Sequence, residues 1–116
     1  MSTQAFDARV RREGDVAVID LSGVIDGQAE GQVNAAFAEA TETATSTVVL
    51  NFADVTYINS TGIAVVVGLL AQARRSQHVV RAFGLSDHYR EIFEITRLVD
   101  FMQLFNDEPS AIAAGA

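Results

Sequence analysis

The chain has 116 residues, 49% of them hydrophobic and only 20% charged, with a formal net charge of -7. That length carries one hydrophobic core and not two, and that composition excludes a disordered tail. The eight basic residues are all Arg and lie scattered in an acidic chain, which excludes a phosphate-backbone surface, and the lack of Lys excludes a Schiff base or a phosphate-loop lysine. No Cys is present, so thiol catalysis, disulfides and cysteine metal sites are excluded too. A cysteine-free acidic domain fits the cytosol. The opening MSTQAFDARVRREGD has no apolar core behind its charges and does not read as a signal peptide. The most apolar run, 63–71, is far short of the ~20 residues of a membrane helix. The expectation is a cytoplasmic domain with no cofactor, no metal, no membrane insertion and no nucleic-acid partner.

Residues 1–4 read as a loose N-terminus and 5–106 as the core of a single domain. Phe6, Ala8 and Val10 alternate with Asp7, Arg9 and Arg11, the period of a half-buried strand. Glu13-Gly14-Asp15 reads as a hairpin turn, followed by a second strand over 16–21. Gly23 ends or kinks that strand, and Val24-Ile25 continue it briefly. Asp26-Gly27 open a first helix whose Val33, Ala36, Phe37 and Ala40 share one face. The Thr-rich 41–47 is a loop by composition. The strand over 47–52 opens on an unbroken β-branched run, which predicts a central strand covered on at least one face.

A second helix follows from about residue 60 and closes on Arg74-Arg75, favourable at its negative end. The spacing assigns Ile63, Val66, Val67 and Leu70 to the core, with Gly62, Ala64, Gly68 and Ala71 permitting close approach. Val65 and Leu69 then point away and form a candidate docking patch, unless a neighbouring helix buries them. A fourth strand spans 79–84, and Ser86 caps a helix from 88 to about 96 with Tyr89, Ile92 and Phe93 inward. A short edge strand over 101–105 and a last helix over about 109–114, with Pro109 near its start, complete the chain. The pattern predicts an α/β domain: a mixed sheet of four to five strands, the first pair antiparallel, with helices mainly on one face.

The stretch most informative about function is Asn59-Ser60-Thr61-Gly62, where a β-like run meets the second helix. Locally, Ser60 reads as an ordinary N-cap. A small hydroxyl at a strand-to-helix turn, at the positive end of a helix dipole, equally suits a bound or covalently attached anion. Here the residues carry a resemblance. Asp54-x-x-Tyr57-Ile58-Asn59-Ser60-Thr61-Gly62-Ile63 with Val67-Gly68, together with Leu21-Ser22-Gly23-Val24-Ile25-Asp26 and Arg90-x-x-Phe93-x-x-Thr96-x-Leu98, resembles the STAS domain, and more narrowly the bacterial anti-sigma-factor antagonists.

The resemblance implies a binding switch and not an enzyme. Ser60 would be phosphorylated by an anti-sigma factor that is also a serine kinase, with Thr61 as reserve acceptor, and a serine phosphatase would reset it. The unmodified form would bind that partner and release the sigma factor. Asp26, Asn59, Thr61, Gly62, Val65 and Leu69 are the expected partner-binding residues. This chain departs from the family in having Asn59 where Asp often precedes the serine. A STAS scaffold, or an accessory of a transport system in which Ser60 serves only as a cap, is the alternative function; a small-ligand module is a further one. A homodimer is compatible with the sequence.

The remaining polar residues read more simply. Asp26 is equally an N-cap, and Asp54 a turn cap bordering the binding face. His78 and His88 read as solvated surface groups. An Asp87-His88 triad with Ser60 lacks the G-x-S-x-G turn that such chemistry uses.

Overall fold

The computed structural model describes residues 5–43 and 45–113. The N-terminal 1–4 and the expected end of the last helix at Ala114 lie outside the described residues. The elements are β1 (Asp7–Glu13), β2 (Val16–Ile25), α1 (Glu30–Ala40), β3 (Thr47–Ile58), α2 (Ser60–Arg75), β4 (Val79–Phe83), α3 (Asp87–Ile95), β5 (Gln103–Phe105) and α4 (Glu108–Ala113). The five strands form one sheet in sequential order; β1 and β2 are antiparallel and all later pairs parallel. Right-handed crossovers that always step the same way put their helices on one side of a sheet.

Burial along the strands follows the period of two. Ala17, Ile19 and Leu21 of β2, Val48, Leu50 and Phe52 of β3, and Val80 and Ala82 of β4 pack with α1, α2 and α3. Val18, Val49 and Phe83 face the other way and are covered by Ala111 and Ile112 of the short α4. Cover on both faces is why Val48-Val49-Leu50 are apolar without alternation.

Two strands run longer than their apolar patterns. β3 continues through Asp54 and Tyr57 to Ile58, paired with the far half of β2, and the register slips on either side of Ser22-Gly23. Asp54 is therefore an exposed strand residue opposite Ser22 and not a turn cap. Gly23, at φ +86°, takes a left-handed conformation that bends β2 without ending it. The expected edge strand at 101–105 is confined to Gln103–Phe105, Phe101 remaining exposed on the turn before it.

On the α4 side, Arg11 of β1 ties three elements together. Its guanidinium meets Asp20 of β2 at 2.6 and 3.1 Å and both carboxylate oxygens of Glu108 in α4. The Arg11 hydrogen bonds hold the Asp20 and Glu108 carboxyls below the usual carboxylate range, against the smaller opposing effect of burial. A carboxyl depressed on folding contributes stability above its unfolded value of about 4, and that contribution is lost as pH falls through the lower folded value. The urea midpoint is thus expected to fall below about pH 4, and Arg11→Met is expected to flatten that acid limb. These groups are about one-third exposed, so the effect is modest.

Candidate functional site

Because β2 and β3 are parallel neighbours, their C-terminal ends emerge side by side. Asp26 follows one and Asn59 the other, and the Asn59 N–H donates to the Ile25 carbonyl at 3.3 Å. Residues more than thirty positions apart therefore share one corner, at the C-terminal edge of the strands where open α/β sheets place their ligands.

The helix start is organised by Asn59, not by Ser60. Asn59 is the extended residue before α2 (φ -94°, ψ -175°), and its Oδ1 accepts from the Gly62 N–H at 2.8 Å and from the Thr61 hydroxyl at 2.8 Å. Thr61 Oγ1 in turn accepts from the Gly27 N–H at 2.9 Å, while Asp26 Oδ1 caps the turn after β2 by accepting from Gln28 N–H at 2.9 Å. Ser60 is the first helical residue, exposed, and its hydroxyl has no hydrogen-bond partner among the described residues. The reading of Ser60 as the cap is corrected. An amide oxygen one position earlier reaches the N3 amide that capping requires, and the serine hydroxyl is left over.

Gly62 is buried, and its role is spacing. A Cβ there would lie 1.9 Å from the Ile25 carbonyl oxygen, so α2 stands directly on the end of β2. That contact sets the rotation of the helix and overturns two expectations. Val65 (8% exposed) and Leu69 (3%) face the core together with Val66 and Leu70, and form no docking patch. Val67, assigned to the core from spacing, is 45% exposed. The run from Ile63 to Ala71 is apolar all round, so its periodicity fits two stripes one residue apart, and only the seat of Gly62 chooses between them. The outward stripe near the site is Ser60, Thr61 and Ala64.

A residue without an assigned role completes the corner. Tyr89 of α3 accepts the Ile58 backbone N–H on its phenolic oxygen at 2.9 Å, clamping the last residue of β3. No local signal marks this, since the partners are 31 residues apart. Tyr89→Phe leaves that N–H, on a residue only 5% exposed, without a partner. The expected cost is about 1–3 kcal/mol in chemical denaturation. His78 packs edge-on to Phe37 and accepts or donates with the Ser76 hydroxyl, and His88 lies against Tyr89; neither belongs to the corner. Among the described residues no helix is long and apolar enough to cross a membrane.

The parallel strand ends of this mixed sheet present a capped helix start whose first residue, Ser60, is exposed. The model of the family described as Mlab, STAS domain matches residues 8–104, and the chain belongs to the STAS domain family. It is 39% identical over 59 residues to the anti-sigma-B factor antagonist of Listeria monocytogenes, a match covering 51% of this chain and about half (52%) of that relative. It is 31% identical over 94 residues, 81% of each chain, to BtrV of Bordetella bronchiseptica, a protein named as a candidate anti-sigma factor antagonist. Its fold superposes on an anti-sigma factor antagonist from Mycobacterium paratuberculosis with a TM-score of 0.80, at 17% identity and over 97% and 96% of the two chains. On the Bacillus cell fate determinant SpoIIAA in its phosphorylated form the TM-score is 0.67, at 25% identity over 93% and 96%.

Proposed function

We propose that this chain is an anti-sigma-factor antagonist whose switch is the Ser60 hydroxyl. In the unmodified state the corner of Asp26, Asn59, Ser60 and Thr61 docks on an anti-sigma factor that is also a serine kinase, and the sigma factor is released. Transfer of a phosphoryl group from ATP to Ser60 Oγ by that partner ends the complex, and a serine phosphatase restores it. Gly62, Val65 and Leu69 act beneath the surface, holding α2 at the corner without touching the partner.

The observation that carries this reading is a division of labour among three adjacent polar side chains. Asn59 caps the helix, Thr61 bridges to Gly27, and Ser60 is left exposed with its oxygen uncommitted among the described residues. A hydroxyl committed to a cap costs about 1 kcal/mol to remove; one that is uncommitted can be esterified at no such cost. The same geometry ranks Thr61 below Ser60 as acceptor, since modifying Thr61 removes the proton it donates to Asn59 and crowds the oxygen that accepts from the Gly27 N–H. Asn59 does the work of the aspartate frequent in the family: its Oδ1 supplies the same acceptor without a charge beside the phosphate.

Incubation with the cognate kinase and ATP is expected to add one phosphoryl group, located on Ser60 by tandem mass spectrometry. The group is expected to be lost in Ser60→Ala and kept in Thr61→Val. Modification of Thr61, or none by a kinase active on its own substrate, would remove Ser60 from the mechanism.

A further inference from the structure

An apolar groove of about 300 Å³ lies on the outer side of α2, far from the corner, lined by Val67, Leu70, Ala71, Arg74, Leu98 and Phe101. Val67 and Phe101 are 45% and 47% exposed, and Arg74 lies over the Phe101 ring at 5.3 Å. Arg74, the one cation lining the groove, makes no ion pair among the described residues, and neither does the exposed Arg75 that follows it, in a chain of net charge -7. The occupant that fits is an aliphatic side chain carried between carboxylates. The chain itself displays one. Ile95, at the end of α3, is the most exposed large hydrophobic side chain among the described residues at 71%. Glu91 and Glu94 flank it, both exposed and without an ion pair among those residues, whereas Arg97 nearby is already matched by Asp100 at 2.9 Å.

We propose that a second copy of this chain fills the groove: Ile95 of each protomer enters the groove of the other, with Glu91 and Glu94 against Arg74 and Arg75. Knob and groove are neighbours on one molecule, since Ile95 precedes the groove residue Leu98 by three positions. A two-fold axis requires such adjacency, because each surface must meet the other's complement in both directions. Two aliphatic knobs and four charge pairs make a small contact, so the dimer is weak, micromolar or above. The groove residues of α2 from Val67 to Arg74 lie seven to fourteen positions beyond Ser60, about 10 to 21 Å along the helix. Dimerisation therefore leaves the corner free and is independent of the proposed switch.

Sedimentation velocity from about 10 μM to 1 mM tests this over the range expected of a small interface. The wild type is expected to shift from monomer to dimer, and Ile95→Asp, a change at an exposed site checked for folding by its melt, to weaken association at least tenfold. Arg74→Glu/Arg75→Glu and Glu91→Arg/Glu94→Arg are each expected to be monomeric alone and to dimerise when mixed, since only the mixture restores opposite charges at both contacts. Ser60→Asp is expected to dimerise like the wild type. A wild type still monomeric at about 1 mM overturns the proposal, whether the groove then stays empty or takes a segment of another protein. So does undiminished dimerisation of Ile95→Asp, or failure of the mixture to associate.

Discussion

Ser60→Asp is expected to weaken binding of the anti-sigma factor by about a hundredfold while leaving the fold as stable as the wild type, or slightly more so. Two effects act at one atom with opposite consequences. Within the molecule, the new carboxylate sits at the first position of a sixteen-residue helix, beside N–H groups that lack intrahelical partners. A negative charge there is favourable by about 0.3–1 kcal/mol. At the proposed interface the same charge must be desolvated in a chain that is already acidic. A cost of about 3 kcal/mol there corresponds to the hundredfold loss. Ser60→Ala removes an uncommitted hydroxyl, so it is expected to bind like the unmodified protein and to resist switching. Calorimetric titration with the partner, beside thermal melts of both variants, measures the two quantities separately. Equal affinity for Ser60→Asp and Ser60→Ala would place the switch elsewhere.

Gly62→Ala is expected to destabilise the protein by about 3 kcal/mol, the upper end of the loss produced by overpacking, because the atoms it meets cannot yield. The added methyl would stand 1.9 Å from the Ile25 carbonyl oxygen, 2.7 Å from its carbon and 3.0 Å from the Ile58 side chain. Two of those atoms are backbone at the end of β2, and moving them disturbs the bond from Asn59 N–H to the Ile25 carbonyl. Helix propensity alone argues the reverse sign, since alanine improves on glycine by about 1 kcal/mol in a helix interior. Gly68, in the same helix with nothing within 4 Å of an added Cβ, supplies the control. Gly68→Ala is expected to gain up to about 1 kcal/mol. Urea unfolding of the pair reads the difference, and a neutral Gly62→Ala would mean that α2 is not seated on β2 as described.

The element order was legible from end to end, because each element declares itself locally. β1 alternates Ala8 and Val10 with Asp7, Arg9 and Arg11, α1 repeats Val33, Ala36, Phe37 and Ala40, and α3 opens with a Ser86 hydroxyl accepting from the Tyr89 N–H at 3.3 Å. The position of the candidate site was legible in the same sense, since a polar turn of Asn, Ser, Thr and Gly between a strand and an apolar helix marks a helix start. The run before Asn59 was legible as β-like, but not its continuity with the central strand: Asp54 reads as a turn cap and is a strand residue because β2 runs beside it.

Sequence by itself determined that this chain folds as a mixed sheet under helices and carries a small hydroxyl where α2 begins. Tertiary structure alone decided which hydroxyl is uncommitted and which stripe of α2 is buried. Local patterns record how often apolar residues recur. They hold no information on the phase of a uniformly apolar helix, nor on which of three adjacent polar groups a distant backbone will engage. Here Ile25 and Gly27, brought up by the parallel pairing of β2 with β3, settle both: one carbonyl meets the bare face of Gly62, and one amide takes up Thr61 and leaves Ser60 to solvent.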